Sequence, residues 1–188
     1  RRPVDLANYH QAISAHARYD YRDLAKIVDF SRHELVLDAG RGHGELLCNL
    51  LRAFPDLKGI VMDRPEVTNS IEFPPELADR CTAISGDILG EWPVRADAIV
   101  LARVLHDWPD KQALLILECA KKALVPGGSI YVLDFALGDD ANGGLLDLNM
   151  LVTTGGRERT LTDFQALFEN AGLRLVRHLP ASPVFSII

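Results

Sequence analysis

Cysteine is scarce. The 188 residues hold three, Cys48, Cys81 and Cys119, none in a C-x-x-C pair, which excludes a disulfide framework and a zinc knuckle and leaves core thiols in a reducing compartment. The histidines show no metal-ligand spacing, so no metal is expected. No apolar run approaches the roughly 18 to 20 residues that span a bilayer, and no signal-peptide pattern stands at the start. A cytoplasmic protein without membrane contact is expected. Positive charge is in deficit: 20 Lys and Arg face 26 Asp and Glu, for a formal charge of −6, and the basic residues form no run. Nucleic acid is therefore not an expected partner. An initiator methionine is also missing, and the opening Arg1-Arg2-Pro3 reads as an excerpt of something longer. What is present, 48% apolar and 24% charged residues, suits one globular domain with a substantial core.

Residues 5–30 carry helical periodicity in two segments, Leu6, Tyr9 and Ile13 and then Leu24, Ile27 and Val28, and read as a lead-in (1–30) to a domain over 31–188. Short apolar runs then alternate with helical stretches. Leu35-Val36-Leu37 ends at Asp38 before an amphipathic stretch from Glu45 to Phe54; Gly59 to Met62 ends at Asp63; Thr82 to Ile84 ends near Asp87; Ala98 to Leu101 runs up to His106. Asp107 is the expected N-cap of a helix from Pro109 to Leu124, and Pro126-Gly127-Gly128 the turn into a strand over Ile130 to Leu133. Helices over Leu145–Leu151 and Thr162–Ala171 precede two strand-like runs, Leu173–His178 and Val184–Ile188, expected to form a hairpin. Fully apolar runs separated by helices predict an α/β, Rossmann-like, doubly wound, mainly parallel seven-stranded sheet with an antiparallel C-terminal strand.

The chemistry begins at Asp38-Ala39-Gly40-Arg41-Gly42-His43-Gly44, a strand-to-helix turn whose glycines let a ligand approach the backbone. A dinucleotide fingerprint needs a small residue where Glu45 stands, and that carboxylate repels a pyrophosphate. Asp38 instead suits a cationic head such as the ammonium and sulfonium end of S-adenosylmethionine. Asp63 can accept from both ribose hydroxyls, and Gly86-Asp87-Ile88 offers an acceptor for an adenine amine beside an apolar side chain. Arg64 and Arg103, next to strand ends, complete the candidate cofactor set. The competing reading is that Asp38, Asp63 and Asp87 cap the helices that follow.

Leu101-Ala102-Arg103-Val104-Leu105-His106-Asp107-Trp108 and Gly155-Gly156-Arg157-Glu158-Arg159-Thr160 resemble the caffeate-type and hydroxyindole-type O-methyltransferases and their bacterial natural-product relatives. The likeness runs from about Glu34 to the C-terminus and includes Asp87-Ile88-Leu89, Pro126-Gly127-Gly128 and Asp147 to Leu151. It implies His106 as general base, Glu158 and Asp134 as its acidic partners, and Asp63 and Asp87 as ligands of S-adenosylmethionine, with S-adenosylhomocysteine as product. Asp134 stands where the family often has glutamate, Ala102 where it often has lysine, and Arg41 at the middle of its three-glycine turn. The resemblance also implies an N-terminal helical dimerisation domain, absent from this chain, so that a full-length protein would be a homodimer or the chain a module of a larger enzyme. Residues 5–30 match the family's connecting helices, which makes Tyr9, His10 and Ile13 candidates to line the pocket of a small, aromatic acceptor; Trp108, Phe135, Asn149, Met150 and Thr153 are further candidates, with core packing as their alternative.

In that reading the protein aligns an in-line attack on the methyl group and His106 removes the acceptor's proton, its tautomer held by Glu158. Bland alternatives are a packed histidine at a strand end and a surface Glu158–Arg159 ion pair before a helix capped by Thr160 or Thr162. No Asn/Asp-Pro-Pro-aromatic stretch follows the fourth strand and no cysteine follows a proline, which excludes two classes of nucleic-acid methyltransferase. Asp134, Asp147 and Asn149 are a loose candidate set for magnesium. The functional alternative is a relative that keeps the fold and cofactor but catalyses decarboxylation or hydroxylation, or serves as a non-catalytic module.

Overall fold

The computed structural model describes residues 24–40, 42–137, 144–182 and 185–188; Tyr9, Ile13, Arg41 and most of the expected helical lead-in lie outside them. Within these limits the lead-in is one short helix, α1 (Leu24–Ile27), followed by β1 (Leu35–Ala39), α2 (Glu45–Ala53), β2 (Lys58–Asp63), α3 (Pro65–Thr68), β3 (Cys81–Ser85) and β4 (Ala96–Ala102). Then come α4 (Asp110–Ala123), β5 (Leu124–Asp134), β6 (Ala136–Leu137), α5 (Gly144–Thr153), β7 (Arg159–Thr160), α6 (Leu161–Asn170), β8 (Leu179–Ser182) and β9 (Phe185–Ile187). A seven-stranded sheet runs β3-β2-β1-β4-β5-β9-β8, parallel from β3 to β5 and closed by antiparallel β9 and β8.

Period-two alternation sends the central strands into two cores. Leu37, Ile99 and Leu101 pack on one face with Ile116 and Leu117 of α4 and Phe164 and Phe168 of α6. Val36, Ala98 and Val100 pack on the other with Leu46, Leu47, Leu50 and Leu51 of α2. Each buried leucine of α2 contributes about 1.5–3 kcal/mol over leaving it in water. Among the described residues no helix is long and apolar enough to cross a membrane.

Several boundaries differ from expectation for physical reasons. Residues 173–178 form no strand: Leu173 and Leu175 satisfy their apolar side chains by packing on the helical core, while Val176 is 82% exposed. The hairpin forms instead from β8 and β9, where Pro180 is tolerated because β8 is an edge. Asp107 is not the N-cap of α4; it closes a 3₁₀ turn, Leu105–Asp107, and Pro109 takes the cap position. β5 starts at Leu124 and carries the Pro-Gly-Gly stretch as an irregularity, Ala96 opposing Leu124 and Ala98 opposing Ser129, with Gly127 at φ 83°. Thr160 caps α6 through a reciprocal box with Asp163. The pairing of β6 with β7, Ala136 to Arg159 and Leu137 to Thr160, has no sequence signal; it draws residues 158–160 beside the end of β5.

Candidate active site

β2 lies to one side of β1 and β4 to the other, so the strand order reverses at β1 and a crevice opens beyond the carboxyl ends of these parallel strands. The glycine turn after β1 forms one wall. Gly42 and Gly44 sit at φ 79° and 78°, a backbone region that side-chain-bearing residues resist. Asp63, at the end of β2, holds that turn by accepting from the Gly42 amide at 2.8 Å and from its neighbour Arg64 at 2.7 Å. Asp87 accepts from the Leu89 amide at 2.9 Å.

None of the three aspartates occupies an N-cap position: Gly44 and Arg64 take those of α2 and α3, and Asp87 leads into a turn. A carboxylate has about four acceptor sites, so half-buried Asp63 and exposed Asp87 retain capacity for ribose and adenine donors. Asp38 differs. At 1% exposure its carboxylate is covered, so any action on a cationic group is by charge rather than open contact. Ile88 and Gly86 stand beside Asp87, half-buried. Arg103 adopts φ 51° and donates its amide to Leu133 at 2.7 Å, bending the chain off β4 into the turn that carries His106. Acidic acceptors with an apolar neighbour and an open glycine backbone at three adjacent strand ends fit a cationic nucleoside such as S-adenosylmethionine.

After β4 and at the end of β5, next in the sheet, lies a buried ionisable cluster. His106 is 3% exposed, Glu158 1% and Asp134 0%. His106 Nδ1 lies 3.1 Å from Glu158 Oε1 and 3.6 Å from Asp134 Oδ1, and Nε2 lies 3.6 Å from Asp107 Oδ1. A carboxylate oxygen only accepts, so Nδ1 donates to Glu158 and Nε2 is left with the lone pair. Burial pulls the imidazole's pKa down most strongly, but the charge of Asp134, the bond to and charge of Glu158, and the charge of Asp107 together outweigh it, and the net shift is upward. Burial, reinforced by the charges of Glu158 and Asp107 and opposed by His106 and Arg103, pushes Asp134 up to about 6.

The segment before β7 delivers Glu158. Gly156 packs so tightly on the His106 turn that a Cβ there would overlap the His106 carbonyl oxygen. The Arg157 amide donates to that same oxygen at 3.0 Å, and Asp147 of α5 accepts from the Glu158 amide at 2.9 Å. Glu158 and Arg159 are not the surface ion pair of the bland reading. Both are 1% exposed, and Arg159 pairs with Asp110 instead. Asp147 and Gly156 went unassigned by sequence reasoning as positioning groups; the paired glycines before a charged turn were the available sign of close backbone approach.

Trp108 packs partly buried on the core, Phe135 is half-buried, Met150 is 8% exposed and Thr153 is exposed on the last residue of α5. The side chain of Asn149 lies outside what the structure describes. Among the described residues no group of three or more His, Cys, Asp and Glu is arranged to hold a metal.

Residues 2–174 match the O-methyltransferase domain family. The chain belongs to that family. It is 32% identical over 186 residues to the phenazine O-methyltransferase of Lysobacter antibioticus, covering 96% of this chain and 54% of that protein. It is 34% identical over 183 residues to the mitomycin biosynthesis 6-O-methyltransferase of Streptomyces lavendulae, covering 94% and 52%. An O-methyltransferase of neocarzinostatin biosynthesis, solved with S-adenosyl-L-homocysteine and 1,4-dihydroxy-2-naphthoic acid, superposes with a TM-score of 0.88 at 32% identity, over 98% of this chain and 57% of that one. The O-methyltransferase domain thus spans about half the length of the curated relatives it matches.

Proposed function

We propose that this chain carries the catalytic site of an S-adenosylmethionine-dependent O-methyltransferase whose acceptor is a phenolic hydroxyl on a small aromatic molecule. The observation that carries the reading is the buried His106–Glu158 pair, 3.1 Å apart, beyond the end of β4, the strand beside β1 and its glycine turn. Relatives named for phenazine and mitomycin O-methylation, and a structural neighbour holding a dihydroxynaphthoic acid, support the acceptor class.

When bound, S-adenosylmethionine supplies a methyl group already activated on a sulfonium. Asp63 and Asp87 would hold its ribose and adenine, and the glycine turn would admit it against the backbone. His106 Nε2 would take the proton of the acceptor hydroxyl, freeing that oxygen to accept the methyl group as the sulfonium–methyl bond breaks and the neutral thioether leaves as S-adenosylhomocysteine. Nδ1–H stays bonded to Glu158, which fixes the tautomer and stabilises the imidazolium that forms; Asp134 adds negative charge from 3.6 Å. The raised pKa makes His106 a stronger base and moves its protonated, inactive form to higher pH. An intact base with its acidic partner favours methyl transfer over a non-catalytic module.

Calorimetric titration with S-adenosylhomocysteine tests the cofactor half, with Asp63→Ala expected to weaken binding markedly. His106→Ala tests the other half. Methyl transfer that survives it undiminished, with chemistry limiting, would overturn the base assignment.

A further inference from the structure

We propose that Arg159 is a positioning residue whose buried guanidinium holds the His106 turn against Glu158. Its Nη1 donates to the Leu105 carbonyl at 2.7 Å and its Nη2 to the Trp108 carbonyl at 2.8 Å. Those two oxygens flank His106 in the chain, one residue before it and two after, so the fork grips the turn itself. Nε and Nη2 reach Asp110 Oδ1 at 3.1 and 2.8 Å. Asp110 opens α4, is 57% exposed, and supplies the charge that a guanidinium 1% exposed requires.

The covalent connections give the fork its reach. Arg159 is peptide-bonded to Glu158, and through β7 it pairs with Ala136, two residues beyond Asp134. One residue therefore ties together the three segments that supply the imidazole and its two carboxylates, the His106 turn through its side chain and the segments of Glu158 and Asp134 through its backbone. The Arg157 amide on His106 and the contact of Gly156 are the backbone part of the same seam. Lysine cannot replace the fork, because a single ammonium cannot meet two carbonyls and a carboxylate with planar, divergent donors.

The catalytic consequence rests on the general-base reading of His106; the geometric one does not, and a titration of the imidazole separates them. Among the described residues, Asp107, Asp134 and Glu158 face His106 with their charge, and Arg103 acts on Asp134. In the wild-type chain the ring resonance of His106, assigned by its loss in His106→Gln, titrates above the ordinary histidine value. In Arg159→Lys the midpoint falls toward that value, while affinity for S-adenosylhomocysteine stays within about two-fold. Where turnover is measured, kcat falls about ten-fold or more and KM for the methyl donor holds. In a Glu158→Gln background, Arg159→Lys moves the midpoint little further, since the carboxylate charge that it holds against the imidazole is already gone.

A folded Arg159→Lys protein with an unmoved midpoint, or shifts from Arg159→Lys and Glu158→Gln that simply add, overturns the proposal and leaves the base assignment standing. Full activity in His106→Gln does the reverse. Should Arg159→Lys fail to fold, Asp110→Asn weakens the fork from the surface; a smaller shift in the same direction is expected, and its absence overturns the proposal.

Discussion

Gly156→Ala adds a single methyl group at the seam between the two halves of the catalytic pair. The new Cβ would overlap the His106 carbonyl oxygen and stand 2.5 Å from the Asp107 carbonyl carbon and 2.8 Å from the Trp108 nitrogen. These are backbone atoms, which cannot rotate aside as the end of a flexible side chain would. Relaxing the 2.5 Å contact to an ordinary carbon–carbon distance of about 3.5 Å requires the segments to part by about 1 Å. The Nδ1–Oε1 distance of 3.1 Å then approaches about 4 Å, beyond hydrogen-bond range. A bond to a charged group contributes about 1.5–3 kcal/mol, which corresponds to a loss of about one to two orders of magnitude in kcat. Single-turnover methyl transfer to a dihydroxynaphthoic acid, read alongside S-adenosylhomocysteine affinity, is the assay. Affinity should hold because the glycine turn and Asp63 lie at the ends of β1 and β2, away from the seam. Wild-type turnover in a folded Gly156→Ala protein would show that the imidazole does not depend on Glu158, and the site geometry would lose its catalytic meaning.

Acidification should abolish turnover along a limb lying above the ordinary histidine pKa, and Glu158→Gln should move that limb down, because the carboxylate charge that raises His106 is lost and any remaining bond is to a neutral amide oxygen; a limb that stays put contradicts the pairing. Asp134 has a folded pKa of about 6 against an ordinary 3.8, so its ionisation costs the folded state nothing below both values, and the cost grows across the interval and stays constant above it. Asp134→Asn should therefore stabilise the protein by up to about 3 kcal/mol at pH 8 and by little at pH 4, read as thermal midpoints at the two values. Thr160→Ala removes the cap of α6 and should cost about 1 kcal/mol of stability while leaving S-adenosylhomocysteine binding intact. Asp63→Asn keeps the side chain's shape but makes one acceptor a donor, so cofactor affinity should fall while the thermal midpoint moves less.

What the sequence determined by itself is what depends on chain neighbours. Apolar runs bounded by Asp38, Asp63 and the turn after Ala102 marked strands β1, β2 and β4, since a strand buried on both faces must be apolar throughout. The glycine turn was equally legible, because positive φ at Gly42 and Gly44 is a local demand. His106 and Glu158 stood out by motif. Their meeting did not, for they lie 52 residues apart, and what joins them is the short β6–β7 pairing, the close approach of Gly156 and the fork of Arg159. The same limit explains 173–178, where alternating apolar residues suit a paired strand and an unpaired segment on a helical core equally well. Tertiary structure alone decided the burial that raises Asp134, because desolvation is a property of everything packed around a group and not of its neighbours along the chain.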